Sequence, residues 1–411
     1  MPCYKKNGLL GGDFARKRKK DAFFRFFGKK NLVSFCLRDY LYPMIWSREN
    51  SWGRGWILKL GMSLVVGTCV TACECDVQDA EPEAVVGSIE PADTDPLLGA
   101  PFKVYPIKGK YLATLIQYPF DTARTYKGIA LYVHGYNDYF FNRELAVKSD
   151  SAGYAFFAID LHNYGRSLRK SEKAFQTREI SEYFPELDSA MEIAQRLTIP
   201  LKDSTQKDMP EFLIGHSTGG LIVPLYAEER YKGKKISGIA LTSPFLELNV
   251  NAFVRHILVP VVSFFGSLAP DFPINDLPNP NYSRSLRKDG RGEWDFDMHL
   301  KTLVSPVKDF GWIRAIHQGQ LLVQDGLDIE TPILLLHGDC SVKSSVWVDE
   351  YSRCDGVLNV DDMKNYGPQL GSQVTLEQID GGLHDLYLSS KEARDKAYRE
   401  TFEFFDKQLV R

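Results

Sequence analysis

From residue 98 onward the chain alternates short apolar runs with amphipathic stretches of helical period. GIALYV (128–133), AFFAID (155–160), EFLIG (211–215), ISGIALTS (236–243), TPILLLHG (331–338) and QVTLEQI (373–379) read as strands. LATLIQYP (112–119) precedes them as an antiparallel edge. Helices are expected near 141–151, 183–197, 218–230, 361–369 and 391–409. This alternation predicts an α/β architecture, a mostly parallel central sheet flanked by helices on both faces.

The rhythm breaks once. Almost ninety residues separate the strand ending at Ser243 from the one beginning near Thr331. They hold the apolar segment AFVRHILVPVVSFFGSLAP (252–270), then Pro-, Asn- and Gly-rich turns and the tryptophans of GEWDF and GWIRAI. A structureless loop of that size does not suit a compact domain, so a mainly helical cap over about 247–328 is expected at the C-terminal edge of the sheet. The folded body would then run from 101 to 411.

Ahead of the body the charge is uneven. Residues 1–60 carry fourteen Lys or Arg against four acids, ARKRKK (15–20) among them, and read as a solvated basic extension (1–59). Residues 74–97 carry eight acids and no base, and 74–100 reads as an acidic tether. Between them LGMSLVVGTCVTAC (60–73) holds no charge in fourteen residues. A bilayer-spanning helix needs about 20 apolar residues, whereas a signal-peptide core has this length. VTAC (70–73) resembles the cleavage box of bacterial lipoproteins, which implies acylation at Cys73, export and a membrane surface as partner. Such a signal belongs at an N-terminus, and a start at Met44 would give it a normal length. Simple secretion or a signal anchor, and a cytoplasmic, unprocessed chain, are the alternatives.

The 411 residues can bury one large core or two modest ones. Net charge is −3 overall and near −5 from residue 98, which gives no electrostatic case for nucleic acid. Of seven cysteines only Cys340 and Cys354 lie in the body, where they would form a bridge in an oxidising compartment or stay thiols in a cytosol. No CxxC pair or His-rich cluster suggests zinc, and no metal or cofactor is expected.

The chemistry concentrates at EFLIGHSTGG (211–220). Gly215-His216-Ser217-Thr218-Gly219 follows a strand and precedes the helical stretch LIVPLYAEER, the setting of a nucleophile elbow. Ser217 would stand on a tight strand-to-helix turn, with the helix N-terminus favouring developing negative charge. The Thr218 amide supplies one oxyanion donor. YVHGYNDYF (132–140) lies directly after a central strand and would present the Tyr136 amide as the second. His134, and Asp160 with Arg166 in DLHNYGRS (160–167), read as loop supports. His384, in IDGGLHDLYLSS (379–390), is the one histidine placed between the last strand and the last helix, where a base is needed. Two carboxylates compete as the acid: Asp339, directly after TPILLLHG, and Asp355, in YSRCDGVLNVDDM (351–363). A Cys340–Cys354 bridge would draw the two together.

From about Lys108 to Leu409 the chain resembles the serine aminopeptidase/monoacylglycerol lipase-like branch of the α/β-hydrolase superfamily. The resemblance rests on VHGYNDYF, DLHNYGRS, IGHSTGG, GEWDFD, GWIRAIHQGQ, CDGVLNVDDM and GLHDLYLS, in that order. It implies the α/β-hydrolase fold with an inserted cap, Ser217 as nucleophile, His384 as base, and the amides of Tyr136 and Thr218 as oxyanion donors. The acid site departs from the common HGxxD form, because Ser341 stands where that form has its aspartate. Members of this branch carry an aspartate where Asp355 falls, which ranks it ahead of Asp339. The resemblance implies a serine-dependent carboxylic ester hydrolase acting on a small-molecule or lipid ester, of monoacylglycerol lipase or lysophospholipase type. Another acyl-transfer activity (aminopeptidase, thioesterase, transacylase) and an inactive binding module are the alternatives.

Overall fold

A computed structural model of the chain describes residues 93–170, 172–201, 208–231, 236–275 and 279–410. Cys73, the basic extension and the signal-like run lie outside the described residues. No helix among them is long and apolar enough to cross a membrane.

Eleven strands and eight α-helices carry the described chain, besides shorter turns of helix. The strands are β1 (Asp93–Thr94), β2 (Lys103–Lys108), β3 (Leu112–Gln117), β4 (Gly128–Val133), β5 (Tyr154–Asp160), β6 (Glu211–His216), β7 (Gly238–Thr242), β8 (Pro273–Ile274), β9 (Lys308–Asp309), β10 (Ile333–Gly338) and β11 (Val374–Ile379). The helices are α1 (Arg143–Ala152), α2 (Phe184–Thr198), α3 (Gly219–Arg230), α4 (Val259–Phe265), α5 (Asn281–Leu286), α6 (Phe310–Asp325), α7 (Val360–Tyr366) and α8 (Lys391–Leu409). Nine strands form one sheet in the order β1-β2-β3-β5-β4-β6-β7-β10-β11. From β5 to β11 every pairing is parallel, while β1, β2 and β3 run antiparallel at one side.

Successive residues of the central strands feed two different cores, as the two-residue period of a strand requires. Ile129, Leu131, Val133, Leu213, Leu241 and Leu335 pack with α2, α3 and α6 on one face. Ala130, Tyr132, Phe156, Phe212, Ile214 and Leu336 pack with α1 and α8 on the other. Burial on both faces is why these strands read as apolar runs.

β3 differs from its expected place. It is not the edge: β2 pairs outside it and β1 outside that. KVYPIK carries Pro106 and two lysines, which weaken a strand signal but suit a position near a sheet edge. Residues 93–100, counted above with the acidic tether, also belong to the folded body. Asp95 is buried and forms an ion pair with Arg166 at 2.7 Å.

Between β7 and β10 the inserted segment holds a turn of π-type helix (Val254–Leu258) running into α4, then α5, α6 and the short β8–β9 pair. Asp309 caps α6 by accepting from the Trp312 N–H at 2.8 Å.

Candidate active site

The order of strands decides where a site forms. The chain leaves β4 toward β5 on one side and then returns to β6 on the other, so the loops after β4 and β6 diverge at their C-terminal ends. Crevices of open α/β sheets sit at such switch points. Ser217 follows β6, and the 134–138 turn follows β4.

Only Ser217 and Thr218 separate β6 from α3, so the turn is tight, and Ser217 adopts φ +52°. A non-glycine residue there is uncommon and costs energy, held here by what surrounds it. Its N–H donates to the Thr242 carbonyl at 3.1 Å. Gly219 lets α3 start against β4: a Cβ there would meet the carbonyl oxygens of Val133 and His134. Gly135 lets the 134–136 turn pass over the serine, since a Cβ on it would lie 2.9 Å from that of Ser217.

His384 enters from the turn after β11. Its Nε2 lies 2.9 Å from Ser217 Oγ and its Nδ1 lies 2.9 Å from Asp355 Oδ2. All three residues are buried. The other oxygen of Asp355 accepts backbone N–H bonds from Val357 and Leu358, each at 2.8 Å. The carboxylate is thereby aimed at the imidazole before any substrate arrives.

The structure thus brings Ser217, His384 and Asp355 into one hydrogen-bonded line. Asp339 is placed differently, with its Oδ1 accepting from the Gly381 N–H at 2.9 Å. Ser341 and Asp355 are paired neighbours in a short parallel bridge. Val342 N–H donates to Asp355 O, and Asp355 N–H donates to Cys340 O. The acid therefore reaches the expected spatial position from an adjacent segment of chain. A Cys340–Cys354 disulfide joins the two segments one residue before that bridge. Closing a loop of this length stabilises the folded state by about 3 kcal/mol in the chain-entropy picture.

Other expected residues take supporting places. His134 bonds to the Gly135 carbonyl through Nδ1 and accepts from the Leu161 N–H through Nε2. Arg166 bridges Asp95 and Asp160, and Asp160 also holds the Phe140 N–H. His216 bonds to Thr242, and burial lowers its pKa. The Tyr136 ring packs on Trp312 and Phe175, with ring centroids at 4.6 and 5.6 Å, as part of an aromatic wall. Lowered by burial, the pKa of His317 on α6 favours the neutral ring.

Some neighbours of the site escape sequence reasoning. The rings of Tyr282, on α5, and His384 meet edge to face with centroids 5.6 Å apart, and burial raises the Tyr282 phenol pKa well above the usual value. Asp138, His216 and Asp385 bring their polar atoms within 4.8 Å of one another, the one such grouping among the described residues. It is not an open metal site, because the Lys301 ammonium lies 2.7 Å from Asp138 and supplies the positive charge. Asp385 adjoins His384 in GLHDLY and was open to notice. Nothing in the sequence links Asp138 to a lysine 163 positions away.

Fold and site together define an α/β-hydrolase with a serine, a histidine and an aspartate aligned at the switch point. A family model described as serine aminopeptidase, S33 (Hydrolase_4) matches residues 124–389. The chain belongs to that family, and is a hydrolase of the esterase and lipase type. It is 28% identical over 215 residues to a monoacylglycerol lipase of Mycolicibacterium smegmatis, a match covering 52% of this chain and 70% of that protein. Among the solved structures that share the fold are a lipase and an esterase. One is a soluble variant of monoglyceride lipase from Saccharomyces cerevisiae bound to a substrate analogue (TM-score 0.55, 16% identity, 82% of this chain and 99% of that one). The other is a thermostable carboxyl esterase from Bacillus coagulans bound to glycerol (TM-score 0.53, 18% identity, 75% and 99%).

Proposed function

We propose that the protein hydrolyses fatty acyl esters of monoacylglycerol or lysophospholipid type through an acyl-enzyme. The observation that carries this reading is the Ser217–His384–Asp355 line at the strand-to-helix turn. His384 Nε2 takes the Ser217 proton as Oγ attacks the ester carbonyl, and Asp355 holds the Nδ1–H and stabilises the imidazolium. The oxyanion that forms is received by the backbone amides of Tyr136 and Thr218. The imidazolium returns its proton to the leaving alcohol. Water then repeats the sequence on the acyl-enzyme, releasing the acid and restoring Ser217.

A lipid substrate is supported by the surface of the inserted segment. Phe253 (63% exposed), Leu268 (66%) and Phe272 (56%) stand in solvent, together with Val261, Phe264 and Phe265. So many large apolar groups on one segment mark an interaction surface. The similarity to a monoacylglycerol lipase points the same way.

Purified protein should hydrolyse monoacylglycerols and lysophospholipids faster than aminoacyl amides and thioesters of matched chain length. Replacing Phe264 and Leu268 with serine should lower turnover on vesicle-borne esters several-fold while leaving soluble short-chain esters unaffected. Preference for aminoacyl amides in that panel would overturn the lipid-ester reading in favour of a peptidase.

We also propose that the chain is exported and acylated at Cys73, as the run at 60–73 implies. The Cys340–Cys354 bridge supports this, since such bonds persist in oxidising compartments. Intact-mass analysis of protein from its native host should give a chain beginning at a lipid-modified Cys73. An unmodified chain retaining residues 1–72 would sink the idea.

A further inference from the structure

The inserted segment does more than cover the site; it is bonded to the turn that carries the expected oxyanion donor. We propose that Lys301 and Thr302 are positioning residues, which hold the 134–140 turn, and with it the Tyr136 amide, in place over Ser217. The proposal rests on the reading of Ser217 as the nucleophile.

Four observations carry it. Asn137 sits at φ +52°, a left-handed conformation that asparagine tolerates better than most residues but that still needs holding. Its carboxamide is engaged by Thr302. Asn137 Nδ2 donates to the Thr302 carbonyl at 3.0 Å, and Asn137 Oδ1 lies 2.9 Å from both the backbone nitrogen and Oγ1 of Thr302. This mimics a pair of strands and fixes the residue next to Tyr136 on both its donor and acceptor sides.

The next residue, Asp138, is 2% exposed and forms its ion pair with Lys301, which is 5% exposed. A buried pair of this kind is poor evidence for stability, since desolvation offsets the attraction, but it fixes geometry because each charge has one good place to go. One residue further, Tyr139 Oη accepts from the Asp297 N–H at 2.9 Å. Three consecutive residues of the turn are thus tied to one six-residue stretch of the insertion. Apolar contact alone would let these surfaces slide; the polar ties set one register.

The charge of Lys301 has a second consequence. Asp138 shares its buried neighbourhood with Asp385 and His216, and burial holds His216 toward the neutral form. Lys301 is the cation bonded there. Its ammonium also lies 5.6 and 5.8 Å from the ring centroids of Phe141 and Phe296. Without it, two carboxylates face each other beside His384, and Asp138 is driven outward, carrying the turn with it. Positioning of the cap and assembly of the oxyanion site are then one event.

The test is Lys301→Met, which keeps the stem and removes the charge. Expected is a fall in kcat on the order of 10²-fold, the scale of a misplaced catalytic group, with KM changed by no more than about threefold. Affinity for an alkylboronic acid, which forms a tetrahedral adduct on the serine, should weaken by the same factor as kcat. Amide hydrogen exchange across 135–141 should accelerate. Neutralising the partner as well, in Lys301→Met/Asp138→Asn, should recover roughly tenfold of the lost kcat, because the stranded charge is gone. Where Lys301→Met does not fold, Asp138→Asn carries the same measurements. Native kcat, boronate affinity and exchange in a folded variant would overturn the proposal, and so would a rise in KM alone or a double variant no better than the single. An inert wild-type protein would overturn the ester-hydrolase reading instead, while exchange at 135–141 would still decide whether Lys301 holds the turn.

Discussion

Replacing Ser217 with alanine should abolish ester hydrolysis and labelling by a fluorophosphonate probe, and should leave the melting transition close to that of the parent. The change deletes one oxygen, whose bond in the structure is to His384 Nε2 at 2.9 Å. Losing one such hydrogen bond typically costs about 1 kcal/mol of stability. The backbone of the turn is held by other means: the Ser217 N–H on Thr242 O, the Ser217 carbonyl accepting from Phe245 N–H, and the glycine contacts on either side. The rate, in contrast, depends on a covalent bond that alanine cannot form. Loss of a nucleophile in enzymes of this kind lowers kcat by on the order of 10⁶-fold. Turnover by Ser217→Ala within tenfold of the parent, with the same ester, would remove Ser217 from the mechanism.

The sheet and the elbow were legible because both are written locally. Strands buried on both faces need unbroken apolar runs, and GIALYV occupies β4 at its expected bounds. Gly215, Ser217 and Gly219 betray the turn because close passage of the chain there admits only small residues. The outer strands were less legible. β1 is two residues long, and β2 carries Pro106; they are strands through pairing, β1 on β2 and β2 on β3, rather than by their own pattern. Least legible were the ties from the insertion. Lys301, Thr302 and Asp297 sit in a polar turn-rich stretch that looks solvated in sequence, and only the return of the chain over the β4 turn gives them partners. A buried ion pair leaves no periodicity, so a sequence shows its members as ordinary surface residues. The acid falls between these cases: the residues after β10 offer both Asp339 and Asp355, the resemblance ranks Asp355 first, and the structure shows that carboxylate facing the imidazole.

That choice yields the sharpest comparison of variants. Asp355→Asn should lower kcat on the order of 10⁴-fold, while Asp339→Asn should stay within about tenfold of the parent. The difference follows from the donors around each group. The Oδ1 of Asp355 accepts two backbone N–H bonds, from Val357 and Leu358, and the Oδ2 accepts from His384 Nδ1. An asparagine in this place would keep its carbonyl oxygen on the two amides, because its NH₂ cannot accept from them. The NH₂ would then face His384 and demand an acceptor at Nδ1. That places the ring proton on Nε2, pointing at Ser217 Oγ, and the imidazole can no longer take the hydroxyl proton. The geometry survives and the tautomer is wrong. Asp339 meets one backbone donor, Gly381 N–H, and an asparagine oxygen there accepts the same bond with only its charge lost. Both variants keep the shape of the side chain, so kcat on one soluble ester compares them directly, with thermal melting as the control for folding. A larger loss at Asp339 than at Asp355 would hand the role of the acid to Asp339, and two equally small losses would mean that His384 works without either carboxylate.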